Sequence, residues 1–213
     1  MVLKLHSAWR ASAPYRVRIG LNLKGVAYDY VPVDLVKGQQ QSPEYQAVNA
    51  QKLVPSLELE DGRVLTQSLP ILEWLEETHP EPALLPKDAY DRQVVRAMAA
   101  IVACDIHPVN NLRILKALSG LGVDEPTRNA WVHRWIGDGF AALERMVALH
   151  GGVWAFGDTP TLADCCLVPQ VYNAARFGVD MTPFPTISAV VARAQEHPAI
   201  AAAHPNNQPD AVL

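Results

Sequence analysis

The residues best placed to do chemistry in this chain lie in one short turn, Trp9-Arg10-Ala11-Ser12-Ala13-Pro14-Tyr15-Arg16. The turn sets a hydroxyl and a cation just ahead of an apolar periodic run. A helix start carries unpaired N–H groups and the positive end of the helix dipole, so it stabilises an anion. A serine hydroxyl with no base beside it is a poor nucleophile. It donates well to a thiolate, however, and each pKa unit of thiolate stabilisation corresponds to ~1.4 kcal/mol. The local pattern alone leaves two roles open for Ser12, cap of the helix or part of a site. Two further places have the character of a ligand contact. Val54-Pro55 precedes a β-forming run, and a cis bond there would turn the backbone N–H and C=O of Val54 outward to pair with a peptide-like ligand. Gln67-Ser68 opens a helix with Ser68 as a good N-cap, and a ligand carboxylate would be held there by the Ser68 hydroxyl and a backbone N–H.

Other candidates carry less. Gly137-Asp-Gly139-Phe-Ala-Ala142 nearly matches a dinucleotide fingerprint, but it lies inside a helical stripe with no strand before it. Cys104, Asp105 and His107 have no second cluster at metal-finger spacing, so no metal is expected. There is no Gly-x-Ser-x-Gly elbow for a hydrolase. The adjacent Cys165 and Cys166 read most simply as small apolar core residues.

The elements that must position the turn follow from periodicity. Val2 to His6 is a short β-forming run, and Pro14 with the pairs Val17/Leu21 and Ile19/Leu23 predicts a helix that stops at Lys24-Gly25. Tyr28 to Val33 is a second strand, parallel to the first because a helix joins them. A helical turn at Pro43 to Val48 precedes Ser56 to Glu60, the hairpin signal Asp61-Gly62, and Arg63 to Thr66. Pro70, Ile71, Leu72 and Leu75 then give a helix ending near His79-Pro80. The order βαβαββα is that of a thioredoxin-like domain, assigned to residues 1–82.

Beyond a linker at 83–87 the strand signal disappears, and residues 88–213 read as an all-helical domain. Asp91 to Leu118 is one helical pattern interrupted at Pro108, and Val132, Ile136, Phe140, Leu143 and Val147 form the stripe of the next helix. Thr161 to Phe177 and Thr186 to His197 add two more, and the tail from Ala201 is expected to be loosely ordered. The fold class is therefore α/β plus all-α.

Composition narrows the partner. Among 213 residues, 18 basic against 22 acidic side chains give a net charge of −4, with no cationic field for nucleic acid or anionic lipid. No apolar run is long enough to span a membrane, and the start Met1-Val-Leu-Lys-Leu-His lacks a signal-peptide pattern, so a cytoplasmic address is expected. Three cysteines without a CxxC suit a reducing compartment. Where a thioredoxin-like redox protein keeps its cysteine, this chain has Ser12. The turn, Val54 and Gln67-Ser68 together describe a site for an extended peptide thiol with a free carboxylate, and glutathione is such a molecule.

These residues carry a family resemblance. Arg10-x-Ser12 followed by Tyr15-Arg-Val-Arg-Ile-Gly-Leu-Asn-Leu-Lys-Gly25, with Leu53-Val-Pro-Ser-Leu57, Gln67-Ser68, Leu72-Glu-Trp-Leu-Glu-Glu77, Leu84-Leu-Pro86 and Thr161-Leu-Ala-Asp164, resembles zeta-class glutathione transferases. The likeness runs from residue 3 to about 200. The segment Asp105-Ile-His-Pro-Val-Asn-Asn-Leu-Arg113 is similar to that of the maleylacetoacetate and maleylpyruvate isomerases of this class. Thr161 and Asp164 match the family's capping box.

The resemblance implies that glutathione is the cofactor and that Ser12 faces its sulfur. It puts Gln39 and Val54 on the middle and glycyl parts, Gln67 and Ser68 on the γ-glutamyl end, and His107, Asn111 and Arg113 as contacts from the helical domain. The family usually has two serines in the turn. Here the first is Ala11, and Pro14 stands where serine or alanine is common, so Ser12 or the helix-start N–H groups are expected to serve. The implied activity is glutathione-dependent cis–trans isomerisation of a maleyl keto acid, with maleylacetoacetate favoured over maleylpyruvate as the more general family role. A dicarboxylate substrate calls for bidentate cations, and Arg10, Arg113 and Arg176 are the ones selected. A homodimer is implied by the family. The competing readings are a general glutathione transferase or dehalogenase, which needs an apolar pocket more than arginines, and a non-catalytic glutathione-fold binding module.

Overall fold

The computed structural model describes residues 2–212. It divides into two units, one made of residues up to Leu84 together with the segment from Glu196, the other of Leu85–Gln195.

The first unit is built on β1 (Leu3–Ser7), α1 (Ser12–Leu23), β2 (Tyr28–Pro32), α2 (Pro43–Val48), β3 (Ser56–Glu58), β4 (Val64–Thr66) and α3 (Ser68–Thr78). The sheet order is β2-β1-β3-β4. As the crossover helix requires, β1 and β2 are parallel, while β3 and β4 form the antiparallel hairpin that Asp61-Gly62 signals. Leu5, Leu57, Val17, Ile19, Leu21, Ile71, Leu72 and Leu75 are completely buried, so the sheet and the packed pair α1 and α3 share one apolar core.

The register decides where the site lies. His6 pairs with Ser56 and Ser56 with Thr66, so the end of β1, the start of β3 and the end of β4 are neighbours. Ser7 pairs with Pro32, which brings the end of β2 to the same edge. The connections that leave this edge are the turn before α1, the loop with Gln39, the segment with Val54 and the pair Gln67-Ser68.

The second unit contains α4 (Ala89–Ala100), a π-helical stretch (Ile101–Ile106), the single turn α5 (His107–Val109), α6 (Leu112–Gly120), α7 (Glu125–His150), α8 (Leu162–Arg176) and most of α9 (Pro185–Glu196). The interruption expected at Pro108 is resolved differently. Pro108 has no N–H to donate and its ring crowds the carbonyl four residues back, and the helix meets this by widening over 101–106. It breaks only at Asn110–Asn111, with the Asn111 side chain capping α6 through the Arg113 N–H. The stripe Val132, Ile136, Phe140, Leu143 and Val147 is buried throughout. Gly139, part of the rejected dinucleotide pattern, sits where a Cβ would collide with Ile106, so close helix packing accounts for it. Cys165 and Cys166 are fully buried in α8, as core residues should be.

Two expectations are corrected. The helical unit closes at Gln195 and not at 213, and the tail is not loose. Residues Pro198–Ala203 form α10, a 3₁₀ turn follows at Pro205–Asn207, and α10 packs on α1 of the first unit. Ile200, Ala203 and Pro205 are buried, which a polar-looking Asn-Asn-Gln-Pro sequence conceals.

Candidate active site

Of the two roles left open for Ser12, the backbone of the turn removes that of helix cap. Ala11 holds the N-cap position with extended backbone and no side-chain cap bond, and Ser12 is the first helical residue. Its hydroxyl is therefore not a cap, and among the described residues it makes no hydrogen bond although the residue is only 5% exposed. The N–H groups of Ser12 and Ala13 belong to the first turn and lack intrahelical partners, and Pro14 has none to offer. Arg10 is exposed, its guanidinium 5.4 Å from the centre of the Trp9 ring.

At Val54 the bond to Pro55 is cis. The Val54 N–H and C=O have no hydrogen-bond partner among the described residues, which leaves one donor and one acceptor for an extended chain. The segment is held from behind: the Leu53 carbonyl accepts from the Tyr45 hydroxyl at 2.7 Å and from Asn49 Nδ2 at 2.8 Å.

The start of α3 differs from the expectation that Ser68 caps it. Gln67 is the N-cap, with φ of 68°, and Ser68 is the first helical residue. The Ser68 hydroxyl instead accepts from Arg16 Nη1 at 3.2 Å, a buried contact. Gln67 Nε2 donates to Gln51 Oε1 at 2.8 Å. Gln39, on a 3₁₀ turn, uses its Oε1 to accept the Asp34 N–H at 2.8 Å and closes its own loop.

Sequence reasoning named the arginine-rich start of α1 only as a family mark and missed what it does. The helix buries nine of its twelve residues, so arginines at 16 and 18 cannot reach out to solvent. Arg16 lies under Ser68, and Arg18 donates to the Ser7 hydroxyl, the Trp9 carbonyl and the Ala203 carbonyl. Burial pushes the Arg18 guanidinium below its ordinary pKa, but it keeps its charge at any physiological pH. The signal was present as two arginines between Tyr15, Val17, Ile19 and Leu21.

In the second unit, His107 opens α5, Asn111 caps α6 and Arg113 follows exposed on its first turn. Arg176 is the last residue of α8, exposed, 6.0 Å from the centre of the Phe177 ring. The two segments border the same stretch of α7: Trp131 Nε1 donates to the Val109 carbonyl at 3.0 Å, and His133 Nε2 lies 2.6 Å from the Phe177 carbonyl. The capping box is present. The Thr161 N–H and hydroxyl both donate to Asp164 Oδ2 at 2.9 Å, and the Ala155 N–H donates to Oδ1 at 2.8 Å.

No helix among the described residues is long and apolar enough to cross a membrane. The first unit thus gathers Arg10, Ser12, Gln39, Val54, Gln67 and Ser68 at one end of its sheet, with an unengaged hydroxyl, free helix-start N–H groups and an open peptide edge. The second unit carries His107, Asn111, Arg113 and Arg176.

Known proteins share this design. Residues 8–83 match the family model of the glutathione S-transferase N-terminal domain, and residues 129–205 that of the glutathione S-transferase C-terminal domain. A maleylpyruvate isomerase from Ralstonia sp is 53% identical over 211 residues, covering 98% of this chain and 99% of its own. The holo structure of a maleyl pyruvate isomerase, a bacterial glutathione S-transferase in the zeta class, superposes with a TM-score of 0.95 at 52% identity over 98% of this chain and 100% of that one. The maleylacetoacetate isomerase of Anaeromyxobacter dehalogenans 2CP-1 matches with glutathione in its active site, with a TM-score of 0.91 at 47% identity over 99% of this chain and 98% of that one. The same enzyme with dicarboxyethyl glutathione and citrate in its active site gives a TM-score of 0.90 at 46% identity over 100% and 98%. The chain belongs to the glutathione S-transferase family and, within it, to the zeta-class group of maleylpyruvate and maleylacetoacetate isomerases.

Proposed function

We propose that this protein is a glutathione-dependent cis–trans isomerase of a maleyl keto acid, maleylacetoacetate or maleylpyruvate. The observation that carries the reading is the open edge at Val54 between two helix starts, at Ser12 and Ser68, on one end of the sheet. Such an edge fits an extended tripeptide thiol. The Val54 N–H and C=O pair with its backbone, the α3 start with Gln67 and Ser68 takes the carboxylate of the γ-glutamyl end, and Gln39 holds the middle. His107, Asn111 and Arg113 complete the cofactor contacts by family likeness.

When bound, glutathione supplies a thiolate that adds to the conjugated cis double bond, allows rotation about the resulting single bond and leaves again unchanged. Ser12 donates its hydroxyl to the thiolate, and the N–H groups of the first α1 turn add their dipole. Either interaction lowers the pKa of the thiol. Arg10, Arg113 and Arg176 are assigned to the substrate, whose two carboxylates suit planar guanidinium forks better than ammonium groups. That the related enzyme takes a dicarboxyethyl adduct and citrate in its active site supports this chemistry of ligand. The family likeness also supports a homodimer acting in the cytoplasm, which size-exclusion chromatography with light scattering and fractionation of the source cells would check.

The two keto acids share the maleyl unit that reacts, and a coupled assay with each, run with and without glutathione, tests the proposal. Isomerisation of at least one, dependent on glutathione, is the expected outcome. Turnover of neither sinks it.

A further inference from the structure

The end of the chain is tied to the turn that precedes α1 by one carboxylate. Asp210, 201 residues away from Trp9, accepts the Trp9 backbone N–H at 3.1 Å through Oδ2. Its Oδ1 accepts the Tyr30 hydroxyl at 2.6 Å. Burial and that bond both push the Tyr30 phenol well above its ordinary pKa, so it stays a donor. On the opposite side of the same residue, the Trp9 carbonyl accepts from Arg18 Nη2 at 2.8 Å. Arg18 is itself held to the tail, its Nε donating to the Ala203 carbonyl at 3.0 Å.

Both polar backbone groups of Trp9 are therefore spoken for, one by the tail and one by a guanidinium that the tail anchors. The consequences run forward along the turn. The Trp9 ring carries the Arg10 guanidinium against it, the Ala11 N–H bonds back to the Ala8 carbonyl at 3.1 Å, and Ser12 begins the helix. Between the end of β1 at Ser7 and Ser12 there are four residues, too few to absorb a displaced Trp9 without moving Arg10 or Ser12.

We propose that Asp210 is a positioning residue for the Arg10–Ser12 turn, a distant carboxylate that fixes the peptide from which the proposed catalytic arginine projects. The proposal rests on the isomerase reading for what the turn does, but not for what holds it. The tail also packs on α1 through α10, with Ile200, Ala203 and Pro205 buried. The Asp210 carboxylate differs from that packing in bonding to the loop backbone itself.

The test uses the full chain with Asp210→Ala, Asp210→Asn and Tyr30→Phe, followed by hydrogen exchange of the β1–α1 loop and by steady-state kinetics. In Asp210→Ala the Trp9 amide should exchange at least about tenfold faster while the β1 amides keep their protection. Isomerase kcat should fall about tenfold to a hundredfold, with KM for glutathione changed less than about threefold, as expected when a reacting group is misplaced and not lost. Tyr30→Phe, which frees one oxygen of Asp210, should show the same pattern to a smaller degree. Faster loop exchange with unchanged kcat overturns the proposal, and so does unchanged exchange. Should Asp210→Ala not fold, Asp210→Asn and Tyr30→Phe decide by the same two criteria. A wild-type chain that turns over neither maleyl keto acid removes the isomerase reading alone. Loop exchange and the ultraviolet absorbance of bound glutathione thiolate, Asp210→Ala against wild type, then decide: less thiolate at neutral pH supports the proposal, and an equal amount overturns it.

Discussion

Arg10 and Ser12 illustrate how differently two neighbouring residues are held. Ser12 is fixed by being helical and nearly buried, whereas Arg10 is exposed and steadied through the Trp9 ring. A group that contacts only substrate should matter for turnover and not for the cofactor. Arg10→Ala is expected to lower isomerase kcat by about a hundredfold, the loss of a charge-assisted bidentate contact, with the Kd for glutathione unchanged within about twofold by calorimetry. Asp164 offers a stability prediction from the opposite environment. Complete burial raises its carboxyl from 3.8 to about 6 against four N–H and hydroxyl hydrogen bonds that work the other way. The folded state therefore binds this proton more tightly than the unfolded state. Its contribution is fully present below pH ~4 and lost as pH rises through about 6, a span of about 3 kcal/mol. Urea unfolding of wild type between pH 4 and 7 should show that slope relative to Asp164→Asn, and parallel curves would refute it. Of these features, the cis bond at Val54 and the capping box were legible because local patterns define them. The Ser68 cap was misread because its hydroxyl is engaged by Arg16 from 52 residues away, a contact no local window contains.

At the level of elements, periodicity located nearly every helix and strand, because each buries one face and the spacing records it. What it could not show is how closely elements approach. Gly20 lies where α1 meets α3, and a Cβ there would strike the Leu72 side chain, which is completely buried. Gly20→Ala should therefore destabilise the protein by about 1–3 kcal/mol, seen as a lower urea midpoint at unchanged slope. A neutral result would mean that Leu72 can turn aside within the core. The π-helical stretch before His107 was equally hidden. Proline announced an interruption, but whether the helix breaks, kinks or widens depends on packing against α7, where Gly139 admits Ile106.

At the scale of the molecule, the two units do not follow the chain in simple succession. The sequence suggested a division near the linker and an idle tail, and the tail was misjudged because it contacts residues far away in sequence. Arg18 links Ser7, Trp9 and Ala203, and Asn22 Nδ2 donates to the Ala199 carbonyl at 3.0 Å, so the tail replaces solvent over a face of α1. Deleting residues 198–213 should strip a buried guanidinium of an acceptor and uncover α1, costing about 3 kcal/mol or more in denaturant unfolding. A deletion that unfolds at the wild-type midpoint would contradict this. The same arrangement has a consequence for biosynthesis. Residues up to Leu84 are made before the helical unit, but the segment from Glu196 that belongs with them is translated only after the whole helical unit, on the order of ten seconds later at ordinary elongation rates. Until then Trp9 has no Asp210 and Arg18 no Ala203. The turn before α1 is thus among the last parts of the described chain to gain all its hydrogen bonds, after the helical unit has been made.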